Sequence, residues 1–156
     1  MYRLFLPALD KDRKSYQMKE IAIAKLYVDA LAIDKNSDDG QRLLNYRVPT
    51  SNHPNSGDFG TAVYLSLKDR SRDKSNITVA QVNDYLDKLA QAADKPGRKT
   101  ILKQLLHETT AIMQKWLVRI ILKDLKVKKN ESVALGFIFF ISASFLYRLV
   151  WVRRCS

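Results

Sequence analysis

The chain has 156 residues, enough for one domain around a single core and too few for a two-domain enzyme. Its 27 Lys plus Arg against 16 Asp plus Glu give a net charge of +11, so a polyanion, either nucleic acid or a membrane surface, is the expected partner. One cysteine, Cys155, and two histidines, His53 and His107, exclude an internal disulfide framework and a Cys/His zinc site, and they fit a reducing compartment such as cytosol or nucleus.

Residues 1–8 are too short an apolar start for a secretory signal, because the charged run 10–14 follows at once. The apolar start over residues 4–9, interrupted by Pro7, suits the first turn of a helix or the end of a preceding one. Over residues 16–33, Ile21, Ala24, Val28 and Leu31 recur at helical period, and Leu26, Tyr27 and Ala30 widen the buried stripe; Asp38, Asp39 and Gly40 are expected to end this helix. Residues 45–60, with Pro49, Pro54, Gly57 and Gly60, form the main loop, and helix resumes near Thr61. Thr78 and Gln81 have the form of a capping box before Val79, Val82, Leu86 and Leu89. Residues 93–97 break that helix. Ile101, Leu105, Ile112, Trp116, Ile120 and Ile121 then keep period as far as Leu125, either as one long helix or, preferred at this length, as two with Thr110 capping the second.

These elements predict an all-α, multi-helix domain over 1–131 with an apolar, helical C-terminal tail over 132–156. The tail carries Arg148, Arg153 and Arg154 and no acid, whereas 1–131 carry 24 basic and 16 acidic side chains. Its uncharged run 132–147 is about 24 Å long as a helix, short of the roughly 30 Å hydrocarbon core, and extension to Val152 makes it long enough to span. Two readings follow. The preferred one is translated non-coding sequence, since Phe, Ile, Leu and Val codons share a middle U; the other is a membrane anchor with Arg148 snorkelling and Arg153 and Arg154 at the interface.

Lys115, Arg119, Lys123 and Lys126 follow one another at four, four and three residues, which places them opposite Ile112, Trp116 and Ile120 as a cationic ridge on the solvent face. Such a ridge tracks phosphates or is simply a solvated face. Lys68, Arg70, Arg72 and Lys74 form a second cluster, diluted by Asp69 and Asp73. Gly97-Arg98-Lys99-Thr100 lacks the glycines and strand of a phosphate-binding loop, and Asp58-Phe59-Gly60 lacks every companion motif of a kinase. His107 has no nucleophile spaced to meet it, and Trp116 reads as core rather than a stacking platform. No nucleophile, base and orienter can be assembled, so catalytic residues, a metal site and a small-molecule site are not expected.

The strings IAIAKLYVDAL (21–31), LLNYRVPT (43–50), GDFG (57–60), ITVAQVNDYLDKLA (77–90) and QKWLVRIILKDLK (114–126) resemble, in this order, segments of the ATP-dependent DNA ligases, above all their eukaryotic end-joining branch. The resemblance covers nearly all of 1–126. It implies the all-helical DNA-binding domain that precedes the catalytic core and holds nicked or broken double-stranded DNA, in nuclear double-strand break repair by non-homologous end joining. On it, Gly57, Asp58 and Gly60 look like a turn opening a helix with outward amides, and Arg119, Lys123 and Lys126 are similar to phosphate-contacting positions; Lys115, Lys68 and Arg70 extend the expected DNA surface. The family's glycine after the last string is replaced by Val127, Lys128, Lys129 and Asn130, and its helices before Tyr2 have no counterpart, so the domain is expected to be truncated at both ends. The family's Lys-x-Asp-Gly adenylation motif does not occur. The chain is therefore expected not to ligate on its own and to need no cofactor, ATP and magnesium belonging to the full-length family. The competing function is a basic helical protein anchored to an internal membrane through 132–156.

Overall fold

The computed structural model describes residues 4, 7, 8, 10, 11, 13, 16–48 and 57–125. Among the described residues there are six helices and no strand: α1 (Glu20–Leu31), α2 (Asp38–Leu44), α3 (Phe59–Leu67), α4 (Val79–Gln91), α5 (Lys95–Glu108) and α6 (Ala111–Ile121). The expected all-α class is met. The tail over 132–156, with both readings of it, lies outside the described residues, as does Lys126. Among the described residues no helix is long and apolar enough to cross a membrane.

The helix ends show where apolar period is a poor guide. α1 stops at Leu31, because Ala32 turns left-handed (φ 51°) and returns its N–H to the Val28 carbonyl. Asp38, Asp39 and Gly40 therefore do not end it. They open α2, with the Ser37 hydroxyl accepting from the Gly40 N–H at 3.2 Å and both acids in the first turn, where the helix dipole favours negative charge. α3 begins at Phe59, two residues before the expected start, since Asp58 caps it. The Thr78–Gln81 capping box is present as read. The expected break after α4 is present, since α4 ends at Gln91, but it is shorter than 93–97: Asp94 accepts from the Gly97 N–H at 2.8 Å, and Pro96 already sits in the first turn of α5, where its missing donor is not needed. Thr110 caps α6 as expected, but that helix closes at Ile121, four residues early. Lys123 is left-handed (φ 55°), and the Asp124 N–H returns to the Arg119 carbonyl at 3.0 Å.

Packing is dominated by two helix pairs, α3 on α6 and α1 on α5, with α2 bridging α1 to α3 and α4 resting on α5. α1 buries Ile23, Ala24, Leu26, Tyr27, Val28 and Ala30, a face broad enough to serve two neighbours. Leu86 and Leu89 of α4, Leu102 and Leu105 of α5 and Val118 of α6 are fully buried as well.

One polar chain runs through this core. Tyr27 Oη donates to Gln114 Oε1, Gln114 Nε2 donates to Thr109 Oγ1 at 2.6 Å, and Thr109 Oγ1 donates to the Leu105 carbonyl at 2.6 Å, all buried. Burial pushes the Tyr27 phenol well above its ordinary value, so it stays a neutral donor. A second tie holds the N-terminal segment. The buried Arg13 donates from Nε to Asp87 at 2.8 Å and from a terminal nitrogen to Asn83 Oδ1 at 3.0 Å, both on α4.

Gln114→Leu strands the Tyr27 hydroxyl and is expected to destabilise the chain by about 1–3 kcal/mol. Adding Tyr27→Phe removes the stranded group, so the double variant should lose less than the sum of the single losses in chemical denaturation. Because the folded pKa of Tyr27 is raised, its contribution is present below about pH 10 and is lost as pH rises toward the folded value. Tyr27→Phe should accordingly flatten the alkaline limb of a stability–pH profile.

Candidate nucleic-acid interface

The α3–α6 junction gathers more of the expected binding residues than any other part of the described chain. Gly57 adopts φ 110°, open only to glycine at low cost, and donates its N–H to the Tyr46 carbonyl at 2.8 Å. That turn delivers Asp58 to the start of α3. There its Oδ2 accepts from the Thr61 N–H at 3.2 Å and from the Thr61 hydroxyl at 2.6 Å. The same oxygen receives a terminal guanidinium nitrogen of Arg119 from α6. Burial alone would raise the Asp58 carboxyl, but the donors from Thr61 and Arg119 outweigh it and hold the group below the usual carboxylate range.

Gly60, the second residue of α3, lets the two helices meet. A Cβ there would lie 2.9 Å from Arg119 Nε and 3.2 Å from the Lys115 carbonyl oxygen. The Arg119 side chain is only 11% exposed and stacks over the Trp116 ring at 4.9 Å. Lys115 Nζ lies 5.9 Å from the Tyr64 ring centre, and burial together with the nearby Arg119 charge lowers its pKa.

The expected solvent-facing ridge is therefore corrected. Lys115 and Arg119 lie on the side of α6 that packs on α3, because a glycine there admits the guanidinium to within reach of a carboxylate. Lys123 does not continue the row. Its left-handed backbone takes it off the helix, and its Nζ donates to the Arg13 carbonyl at 3.3 Å. The outward amides expected of the 57–60 turn are also revised, since Asp58 takes the Thr61 N–H and both Phe59 and Gly60 are buried.

Elsewhere, Lys68 lies just past the end of α3, exposed and 3.9 Å from Asp69. Arg70 is drawn to Asp39 at 2.7 Å, a carboxylate it shares with Arg42 at 2.6 Å. Trp116 is half-buried and carries Arg119 over its ring, a role the core reading did not foresee. Asp58 as the partner of Arg119 was also missed, although Asp58 three residues before Thr61 is an N-cap signal. Among the described residues no three His, Cys, Asp or Glu side chains gather to hold a metal ion.

Gly60→Ala, which would stabilise an exposed helix by about 1 kcal/mol, is expected here to destabilise by about 1–3 kcal/mol through overpacking, read by thermal melting. Asp58→Asn retains a cap and loses only the charge, so Asp58→Ala should be worse by about 1 kcal/mol. With its pKa lowered, Asp58 contributes stability that is present above the ordinary carboxylate range of about 4 and is lost as pH falls through its folded value. Asp58→Asn should remove that part of the acid-side loss in melts recorded against pH.

Residues 1–138 match the family described as DNA ligase N terminus. DNA ligase 4 of Dictyostelium discoideum is 47% identical over 141 residues, which cover 88% of this chain and 13% of that protein. DNA ligase 4 of Homo sapiens is 43% identical over 134 residues, 83% of this chain and 15% of that protein. DNA ligase 4 of Arabidopsis thaliana is 37% identical over 133 residues, 83% of this chain and 11% of that protein. The chain thus spans about an eighth of the length of these relatives. With a match that takes in every helix from α1 to α6, the chain belongs to the DNA ligase N-terminal domain family.

Proposed function

We propose that this chain is a module that binds nicked or broken double-stranded DNA through its phosphates, in the service of a nuclear DNA ligase of the end-joining repair pathway. The observation that carries the reading is at the α3–α6 junction, where the Asp58 carboxylate is paired with Arg119 and the half-buried Lys115 stands within the field of both charges. The junction keeps an excess positive charge in a half-buried setting. Burial first, and then the charge of Arg119, lower the Lys115 pKa, and an arriving phosphate would offset the second of these, so binding there is favoured by the charge already built in. The surplus of basic over acidic side chains along the chain supplies long-range attraction of the same sign. Similarity to proteins named DNA ligase 4 supports the same reading.

In this reading the chain positions DNA and transfers no nucleotide. The sequence holds no Lys-x-Asp-Gly, so none of its lysines stands in the setting that accepts AMP from ATP. Activity on DNA, with ATP and magnesium, would be the work of a nucleotidyltransferase domain.

The test is fluorescence anisotropy of a labelled nicked duplex titrated with the full chain over a series of salt concentrations. Affinity is expected to fall steeply as salt rises, with a log–log slope of roughly −3 or steeper, and Lys115→Gln should make that slope shallower by about 1. No binding at low salt would overturn the proposal. Incubated with labelled ATP and magnesium, the chain is expected to acquire no covalent AMP.

A further inference from the structure

We infer that helix α5 carries a second phosphate-contacting surface, the lysine row Lys95, Lys99 and Lys103, built on the α1–α5 pair rather than on the α3–α6 junction. The inference rests on the DNA-binding reading above and extends it to elements that reading does not use.

The three lysines are four residues apart, so they rise about 6 Å per step and drift only about 40° around the helix, forming one row about 12 Å long. Lys95 and Lys103 are exposed and Lys99 is half-buried. This row is unfavourable for the helix that bears it. Lys95, Arg98 and Lys99 stand near the N-terminus, where the dipole disfavours cations, and the first turn contains no acid. Like charges at four-residue spacing also repel one another.

Nothing within α5 compensates. Asp94 is turned onto its own helix end as the cap of Gly97. Glu108, at the other end, accepts from Tyr85 Oη at 3.0 Å. From the neighbouring α1, Asp29 reaches the row and lies 3.1 Å from Lys95 Nζ. The hydrogen bond from Lys95, with the further charges of Lys99 and Lys35, holds the Asp29 carboxyl below its usual range, which places three lysines around one acid. Lys25, exposed on α1, adds a further cation to this pair of helices. A solvated face ordinarily intersperses both signs, whereas this one concentrates one sign against local helix stability. A polyphosphate backbone is the occupant whose charge is complementary to it, and a row of ammonium groups suits phosphates as point charges without reading bases.

The experiment compares the full chain with the triple variant Lys95→Gln, Lys99→Gln, Lys103→Gln, with the corresponding triple Arg variant, and with Asp29→Asn, on the same nicked duplex. The Gln variant is expected to bind about tenfold or more weakly at roughly 100 mM salt, with a slope shallower by about 2–3. The Arg variant should keep the slope, and Asp29→Asn, by releasing Lys95, should bind about two- to threefold more tightly. Thermal melts confirm that each variant is folded. If the parent chain binds and the Gln variant keeps its affinity and slope, the α5 surface is overturned and the general reading stands. If the parent chain does not bind duplex at all, the general reading fails and this one with it. Loss of binding to phosphatidylserine vesicles with duplex binding unchanged would overturn the proposal in favour of a membrane surface.

Discussion

Gln114 is the side chain on which the arrangement of helices turns. Its amide is fully buried and therefore has to be satisfied from within the protein: Oε1 by Tyr27 of α1, Nε2 by Thr109 at the junction of α5 and α6. Apolar helix faces tolerate sliding by a fraction of a turn with modest loss, whereas a buried amide out of register leaves polar atoms unpaired at a cost of about 1–3 kcal/mol each. The network thus fixes where α6 lies along α1. Lys115, the next residue, and Arg119, one turn further on, inherit that register, and with it their approach to Gly60 and Asp58 on α3.

The cations of the described chain divide by chemical type. Five of the seven described arginines are drawn inward or tied down, Arg13 to Asp87, Arg42 and Arg70 to Asp39, Arg119 to Asp58, and Arg98 to the Ala92 carbonyl, while Arg47 and Arg72 are exposed. The planar guanidinium carries several donors in a fixed fork and is weakly hydrated, so it suits half-buried pairs that hold elements together. Lys25, Lys35 and Lys103 instead remain exposed, as the compact and strongly hydrated ammonium favours. The surplus charge available to a polyanion is for that reason mainly lysine charge, and the arginine that the sequence pattern placed on the binding ridge serves as a strut between two helices.

Much of the architecture was legible from the residues. The capping box at Thr78 and Gln81 and the Thr110 cap are strong local signals, because side chain and backbone are neighbours in sequence and need no tertiary partner. α2 was hidden because Ser, Asp and Gly punctuate both the end of one helix and the start of another, and seven residues carry too little period to decide between them. The candidate site was legible in part: Asp58 and Gly60 do lie against Lys115 and Arg119, with Gly57 in the turn that leads to them. Their meeting as a packed junction was not legible, since the period of α6 places Lys115 and Arg119 on one face without saying whether that face meets water or another helix.

The amino-acid sequence by itself determined the helical class, the caps at Thr78 and Thr110, the excess of basic side chains and the family strings, all of which depend on residue type and short-range spacing. Tertiary structure alone decided which charges are structural and which remain available. That choice depends on a contact between residues 61 apart, in which the missing Cβ of Gly60 lets Arg119 reach Asp58, and no local pattern encodes the approach of two helices brought together by a core elsewhere.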